Sequence, residues 1–108
     1  MAVVREAAQS ALPADWVPRS GPIKLFIIFQ LRRPKAHYTT KGAVKSSAPP
    51  HPTVKPDLTK LLRAVEDALT GVVWRDDSQI IHQAVSKEYA DVNMTSVVVE
   101  FLQETLGI

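Results

Sequence analysis

Cysteine is absent from this chain of 108 residues. That rules out a disulfide framework, a thiolate zinc site and a cysteine nucleophile, and it fits a reducing cytoplasm. Glycine is scarce, with four residues, and no Gly-rich phosphate loop can be read. No apolar run approaches the roughly 20 residues that a membrane-spanning helix needs. The opening MAVVREAAQSALP carries Arg5 and Glu6 where a signal peptide would have its apolar stretch. No Ser/His/Asp set stands out, and His37, His51 and His82 lack metal-ligand spacing. Proline is confined, since all eight lie between Pro13 and Pro56.

What is present suits a single domain with a modest core. Hydrophobic residues make up 45% of the chain, too many for a disordered protein. A domain this small gains from a partner subunit. The net charge of +2 hides an asymmetry. Residues 1–56 hold nine Lys/Arg against two acids, and residues 57–108 hold four against nine. One half suits a polyanion and the other suits cations, although charge segregation on a solvated surface has the same signature.

Periodicity divides the chain into elements. Residues 2–11 place Val3, Val4, Ala7, Ala8 and Ala11 at helical spacing, and Pro13 and Pro18 end that helix. Residues 23–31, IKLFIIFQL, alternate as a strand. Phe26 and Ile28 on its second face predict a central strand covered on both sides. Residues 32–56 read as a long loop with six Lys/Arg, two His, five Pro and no acid. Such a loop is a phosphate-binding flap or a solvated tether. Residues 57–70 form the strongest helix pattern, with Leu58, Leu61, Leu62, Val65, Ala68 and Leu69 on one stripe. Asp57 stands at its N-cap and Gly71 at its stop. Residues 79–87 and 95–103 read as two strands, joined by 88–94 in a predicted hairpin. The expected class is α+β, a small mixed sheet packed with two helices.

The acids in the second half can be tested on geometry. A helix from Asp57 to Thr70 is about 20 Å long at roughly 1.5 Å per residue. The seven residues from Gly71 to Asp77 can span about 23 Å when extended. A return run along the helix would bring Asp76 and Asp77 back to Asp57. Three carboxylates at one point repel unless a cation lies between them, and hard oxygen ligands suit Mg²⁺ or Mn²⁺. The bland alternative is that Asp57 only caps a helix and the Asp76–Asp77 pair only caps a strand entry. Lys60, Arg63 and Asp67 lie opposite the leucine stripe, as phosphate contacts or as an exposed salt-bridged face. Trp74 reads as core.

The run KPDLTKLLRAVEDALTGVVWRDDSQI, Lys55 to Ile80, resembles the signature of the RusA-type Holliday-junction resolvases. The upstream LRRPKAHY, Leu31 to Tyr38, is similar to phage-type members. The resemblance implies a homodimeric, Mg²⁺-dependent endonuclease that cuts four-way DNA junctions, with Mn²⁺ as a substitute metal. It implies Asp57, Asp77 and the adjacent Asp76 as metal ligands, and it places Arg63 and Lys60 beside the scissile phosphate. Arg32, Arg33, Lys35, Lys41, Lys45 and Lys55 would then grip the DNA backbone. Two departures stand out. Thr59 occupies a position where the family usually carries a second Asp. The family also usually opens on a strand and a basic turn, where this chain opens on the helix-like MAVVREAAQS. A non-catalytic branched-DNA-binding protein of the same fold is the rival expectation, and a small interaction protein is the third.

Overall fold

A computed structural model describes residues 2–102. Helix α1 spans Ala2–Ala11, strand β1 Ile23–Arg32, helix α2 Leu58–Leu69, strand β2 Ile80–Ala90 and strand β3 Met94–Phe101. Two single-turn 3-10 helices, Lys35–His37 and Asp77–Gln79, complete the order. The class is α+β, as expected, and the elements fall within a few residues of their expected bounds. Gln103, the last residue of the expected third strand, lies outside the described residues.

The sheet runs β2-β1-β3, with β1 parallel to β2 and antiparallel to β3. The expected hairpin is therefore overturned. β2 and β3 are joined by three residues, 91–93, yet they flank β1 rather than pairing with each other. The link steps over the end of β1 and is fastened there. The Arg32 N–H donates to Asn93 Oδ1 at 2.8 Å, and the Arg33 N–H to the Ala90 carbonyl at 3.2 Å. The parallel pair needs a long crossover, which residues 33–79 with α2 supply.

Alternation in β1 places Ile23, Leu25, Ile27 and Phe29 in the core, each at most 2% exposed. They pack on Val65 and Leu69 of α2 and on Val73 and Trp74, with Val4, Ala8 and Leu12 at the margin. Coverage of β1 on both faces is a second expectation that fails. The opposite face carries Phe26, Ile28, Met94 and Val98, and the last three are exposed by 42%, 54% and 61%. Both helices stand on one side because one crossover and one leading helix are all the chain provides.

The segment after α2 turns at once. Gly71 adopts φ +82°, its N–H donates to the Trp74 carbonyl at 2.7 Å, and the Val73 N–H donates to the Leu69 carbonyl. Trp74 is fully buried, as the sequence predicts, and its Nε1–H donates to Thr70 Oγ1 at 3.0 Å. Burial of Val73 and Trp74 beneath the helix end shortens 71–77 into turns. The expected return run along α2 does not form, and β2 makes that return instead.

Candidate functional site

Among the described residues the candidate acids fall into two places. Asp57 is the N-cap residue of α2, exposed, with its carbonyl accepting from the Leu61 N–H at 3.1 Å. Its carboxylate makes no capping hydrogen bond. Asp76 and Asp77 lie beyond the other end of α2. Twelve helical residues separate the two places, about 18 Å of helix at 1.5 Å per residue. No group of three or more His, Cys, Asp or Glu side chains able to hold a metal occurs among the described residues. The carboxylates of one copy therefore do not meet around one cation.

The two neighbouring aspartates divide their roles. Asp76 closes a capping box over the 3-10 turn before β2, its carboxylate accepting from the Ser78 N–H at 2.9 Å. Gln79 completes the box. Its Oε1 accepts from the Arg75 and Asp76 N–H groups, both at 2.8 Å, and its Nε2–H donates to the Arg19 and Gly21 carbonyls. That one amide ties the β2 entry to the segment leading into β1. In the sequence Gln79 stands out only as part of the Asp-Asp-x-Gln entry that resembles the family, although Asp-x-x-Gln is also a legible capping pattern. Asp77 holds no backbone N–H among the described residues. It borders a polar cleft of about 250 Å³ with Glu66, His82 and Gln83. Glu66 accepts from the Gln83 amide. No local signal marks Glu66, because β2 brings Gln83 to it.

The Asp76 carboxyl is held below its ordinary value, chiefly by the Ser78 backbone N–H, then by the Ser78 hydroxyl and the Asp77 side chain. A depressed carboxyl pKa stabilises the fold above the unfolded-state value, and that contribution is lost as pH falls through the lowered value. Asp76→Asn should therefore melt earlier than the parent at neutral pH. The two melting temperatures should converge as pH drops below the ordinary carboxylate range. A melting series across acid pH checks this, and a gap that stays constant with pH would remove the charged cap.

Lys60 and Arg63 are exposed on α2, with Asp67 on the same polar side. The basic segment 32–56 is more ordered than a structureless flap. The Arg33 guanidinium lies 4.5 Å from the Tyr89 ring centroid, donates to the Pro49 carbonyl at 2.8 Å and contacts His37 Nδ1 at 3.3 Å. Arg33 is thus engaged within the fold. Tyr38 and Val44 form a bridge around a turn closed by Gly42 at φ +85°, with Lys41 at its tip. Lys87 Nζ anchors the far end on the Val54 and Pro56 carbonyls, at 2.8 and 3.2 Å. Arg32, Lys35, Lys41, Lys45 and Lys55 remain exposed. None of the described helices is long and apolar enough to cross a membrane.

The family model for endodeoxyribonuclease RusA matches residues 2–100. An uncharacterized protein of Bacillus subtilis (strain 168), YqaN, is 28% identical over 82 residues, covering 74% of this chain. The chain spans 58% of the length of that relative. No solved structure matches.

Proposed function

The chain belongs to the RusA endodeoxyribonuclease family, and from that premise we propose that it resolves four-way DNA junctions as a homodimer by Mg²⁺-dependent phosphodiester hydrolysis. The observation that carries this reading is the family match across nearly the whole chain, joined to an exposed Asp77 that borders a polar cleft. Asp57 at the start of α2 and Asp77 beyond its end, with Asp76 next to Asp77, are the proposed ligands of Mg²⁺ or Mn²⁺. A bound divalent cation would supply charge neutralisation and water activation at the phosphate. Lys60 and Arg63, exposed on the first turns of α2, would steady that phosphate as cations on a rigid element. Arg32, Lys35, Lys41, Lys45 and Lys55 would contact the DNA backbone without reading sequence. Arg33 would serve them indirectly, by holding the segment on Tyr89 and Pro49.

The discriminating test compares a labelled four-way junction with a linear duplex of the same sequence. Selective cutting of the junction is expected. Tight, salt-sensitive junction binding without cutting would favour a non-catalytic binding protein of the same fold.

Thr59 lies exposed in the first turn of α2, two residues past Asp57. A carboxylate there would add a hard ligand beside Asp57 and suit the positive helix end. Thr59→Asp should therefore lower the Mg²⁺ concentration that gives half-maximal junction cutting. A Mg²⁺ titration of nicking checks this, and an unchanged requirement would move the cation away from the helix start.

A further inference from the structure

Arg19 carries a further inference, which rests on the reading of this chain as a DNA-binding protein. It stands exposed between α1 and β1, in the half of the chain that holds nine Lys/Arg against two acids. Its backbone is fastened to the segment that leads into β2. The Arg19 N–H donates to the Val73 carbonyl at 3.2 Å, and its carbonyl accepts from the Arg75 N–H at 3.1 Å and from the Gln79 amide at 2.9 Å. Arg19 is thereby tied to the turn that carries Asp77. The side chain is held as well. Its guanidinium carbon lies 4.6 Å from the Trp16 ring centroid and 4.9 Å from that of Phe101, two rings 6.0 Å apart and inclined by 53°. Attraction to ring faces engages the positive charge and spends none of the N–H donors. Arg33 differs. It rests on Tyr89 in the same manner, but its Nη1 is engaged by the Pro49 carbonyl and His37 Nδ1. Among the described residues the Arg19 guanidinium meets the two rings and no such acceptor. A guanidinium that is fixed, charged and open at its edge is matched to a phosphate, whose oxygens take two parallel N–H donors.

The two stacked arginines stand at opposite ends of one sheet face. Phe101, under Arg19, pairs with Ile23, and Tyr89, under Arg33, pairs with Leu31. Ile23 and Leu31 point to the same side of β1, because side chains alternate along a strand. The eight steps between them span about 26 Å at roughly 3.3 Å each. The cations already assigned to DNA, from Arg32 through Lys55, all follow the far end of β1. We propose that Arg19 binds a DNA backbone phosphate at the Asp77 end of the sheet, outside the basic segment 32–56, so that a duplex arm is held at both ends of the fold. Contacts about 26 Å apart fall about eight base pairs apart along an arm, at roughly 3.4 Å per step. Phosphate contacts of this kind fix register and carry no sequence information. Arg19 therefore sets how the arm lies past the Asp77 cleft.

Junction binding in chelator tests the proposal without calling on cleavage. Arg19→Met keeps an apolar stem over the two rings and removes the charge. It should weaken junction binding at least about tenfold at low salt, as for a lost charge-assisted hydrogen bond. The slope of log affinity against log salt should flatten by about 0.9, the share of one phosphate. Melting of the free protein reports any loss of packing separately. Junction arms carrying one neutral methylphosphonate at a time then locate the partner. In the wild type one position, about eight base pairs from those that respond to Lys41→Gln or Lys45→Gln, should weaken binding as much as Arg19→Met does. In Arg19→Met the same position should have no further effect, because the two changes remove one contact. A folded Arg19→Met with the parental salt slope overturns the proposal. If Arg19→Met does not fold, the wild-type map decides. Sensitive phosphates confined to those that respond to the Lys41 and Lys45 variants overturn the proposal, and a further sensitive phosphate at the expected spacing supports it. Wild-type protein that binds no junction would instead sink the reading of the chain as DNA-binding, on which the proposal rests.

Discussion

Asp77→Asn is expected to cut junction cleavage by at least about a hundredfold, as for a disabled metal-activated step, while the melting temperature and junction affinity stay at parental values. The change removes one charge and keeps the side chain's shape. Asp77 is exposed and holds no backbone N–H among the described residues, so the fold does not depend on its carboxylate. DNA affinity in this reading comes from Arg32, Lys35, Lys41, Lys45 and Lys55, at a distance from the change. Asp76→Asn is the informative contrast. Its carboxylate caps the Ser78 N–H, so it should lose stability first. Cleavage and thermal melting measured on both variants separate the roles. Parental cleavage by Asp77→Asn would remove that residue from the chemistry.

Trp74→Ala is expected to destabilise the domain by about 3–5 kcal/mol, the usual cost of emptying a buried tryptophan site. Trp74 is fully buried among the side chains of β1 and α2, and its indole N–H is satisfied by Thr70 Oγ1. Single domains hold about 5–15 kcal/mol in total. The midpoint should fall by about 12–40 °C, at roughly 4–8 °C per kcal/mol for a domain near this size. Trp74→Phe keeps much of the ring and leaves Thr70 Oγ1 without its donor, so it should cost about 1–2 kcal/mol. Urea melts of the three proteins check the order. A Trp74→Ala melt close to the parent's would mean that the indole is not the centre of the core.

Much of the architecture was legible because three segments carry unambiguous periods. IKLFIIFQL alternates with four core residues on one face, LTKLLRAVEDAL repeats at helical spacing, and Gly71 ends it at a positive φ. The hairpin reading went wrong through a prior, since consecutive strands usually pair. The sequence held a counter-argument. With only three strands and an apolar β1 in the centre, the other two must take its two sides. Coverage of β1 on both faces was misread because Phe26 and Ile28 are apolar, and apolar residues on an open face are ordinary.

The site was less legible. A return of Asp77 to Asp57 required an extended 71–77, and the reading allowed for length but not for burial. Val73 and Trp74 gain more by closing the core than by running out along the helix. Glu66 and Gln83 meet through tertiary pairing, which no local pattern encodes. Order in 32–56 had one local hint, the Lys41–Gly42 turn. Its main fastening, Arg33 on Tyr89, joins residues that lie far apart in the chain.

The most direct measurement is metal-dependent cleavage of a four-way junction. End-labelled junction is saturated with protein and incubated with Mg²⁺ or with chelator, and the strands are resolved under denaturing conditions. Paired nicks on opposite strands near the crossover in Mg²⁺, with binding alone in chelator, are the expected result. A junction that stays intact in both Mg²⁺ and Mn²⁺ while fully bound would contradict the assignment of this chain as a junction-cutting nuclease.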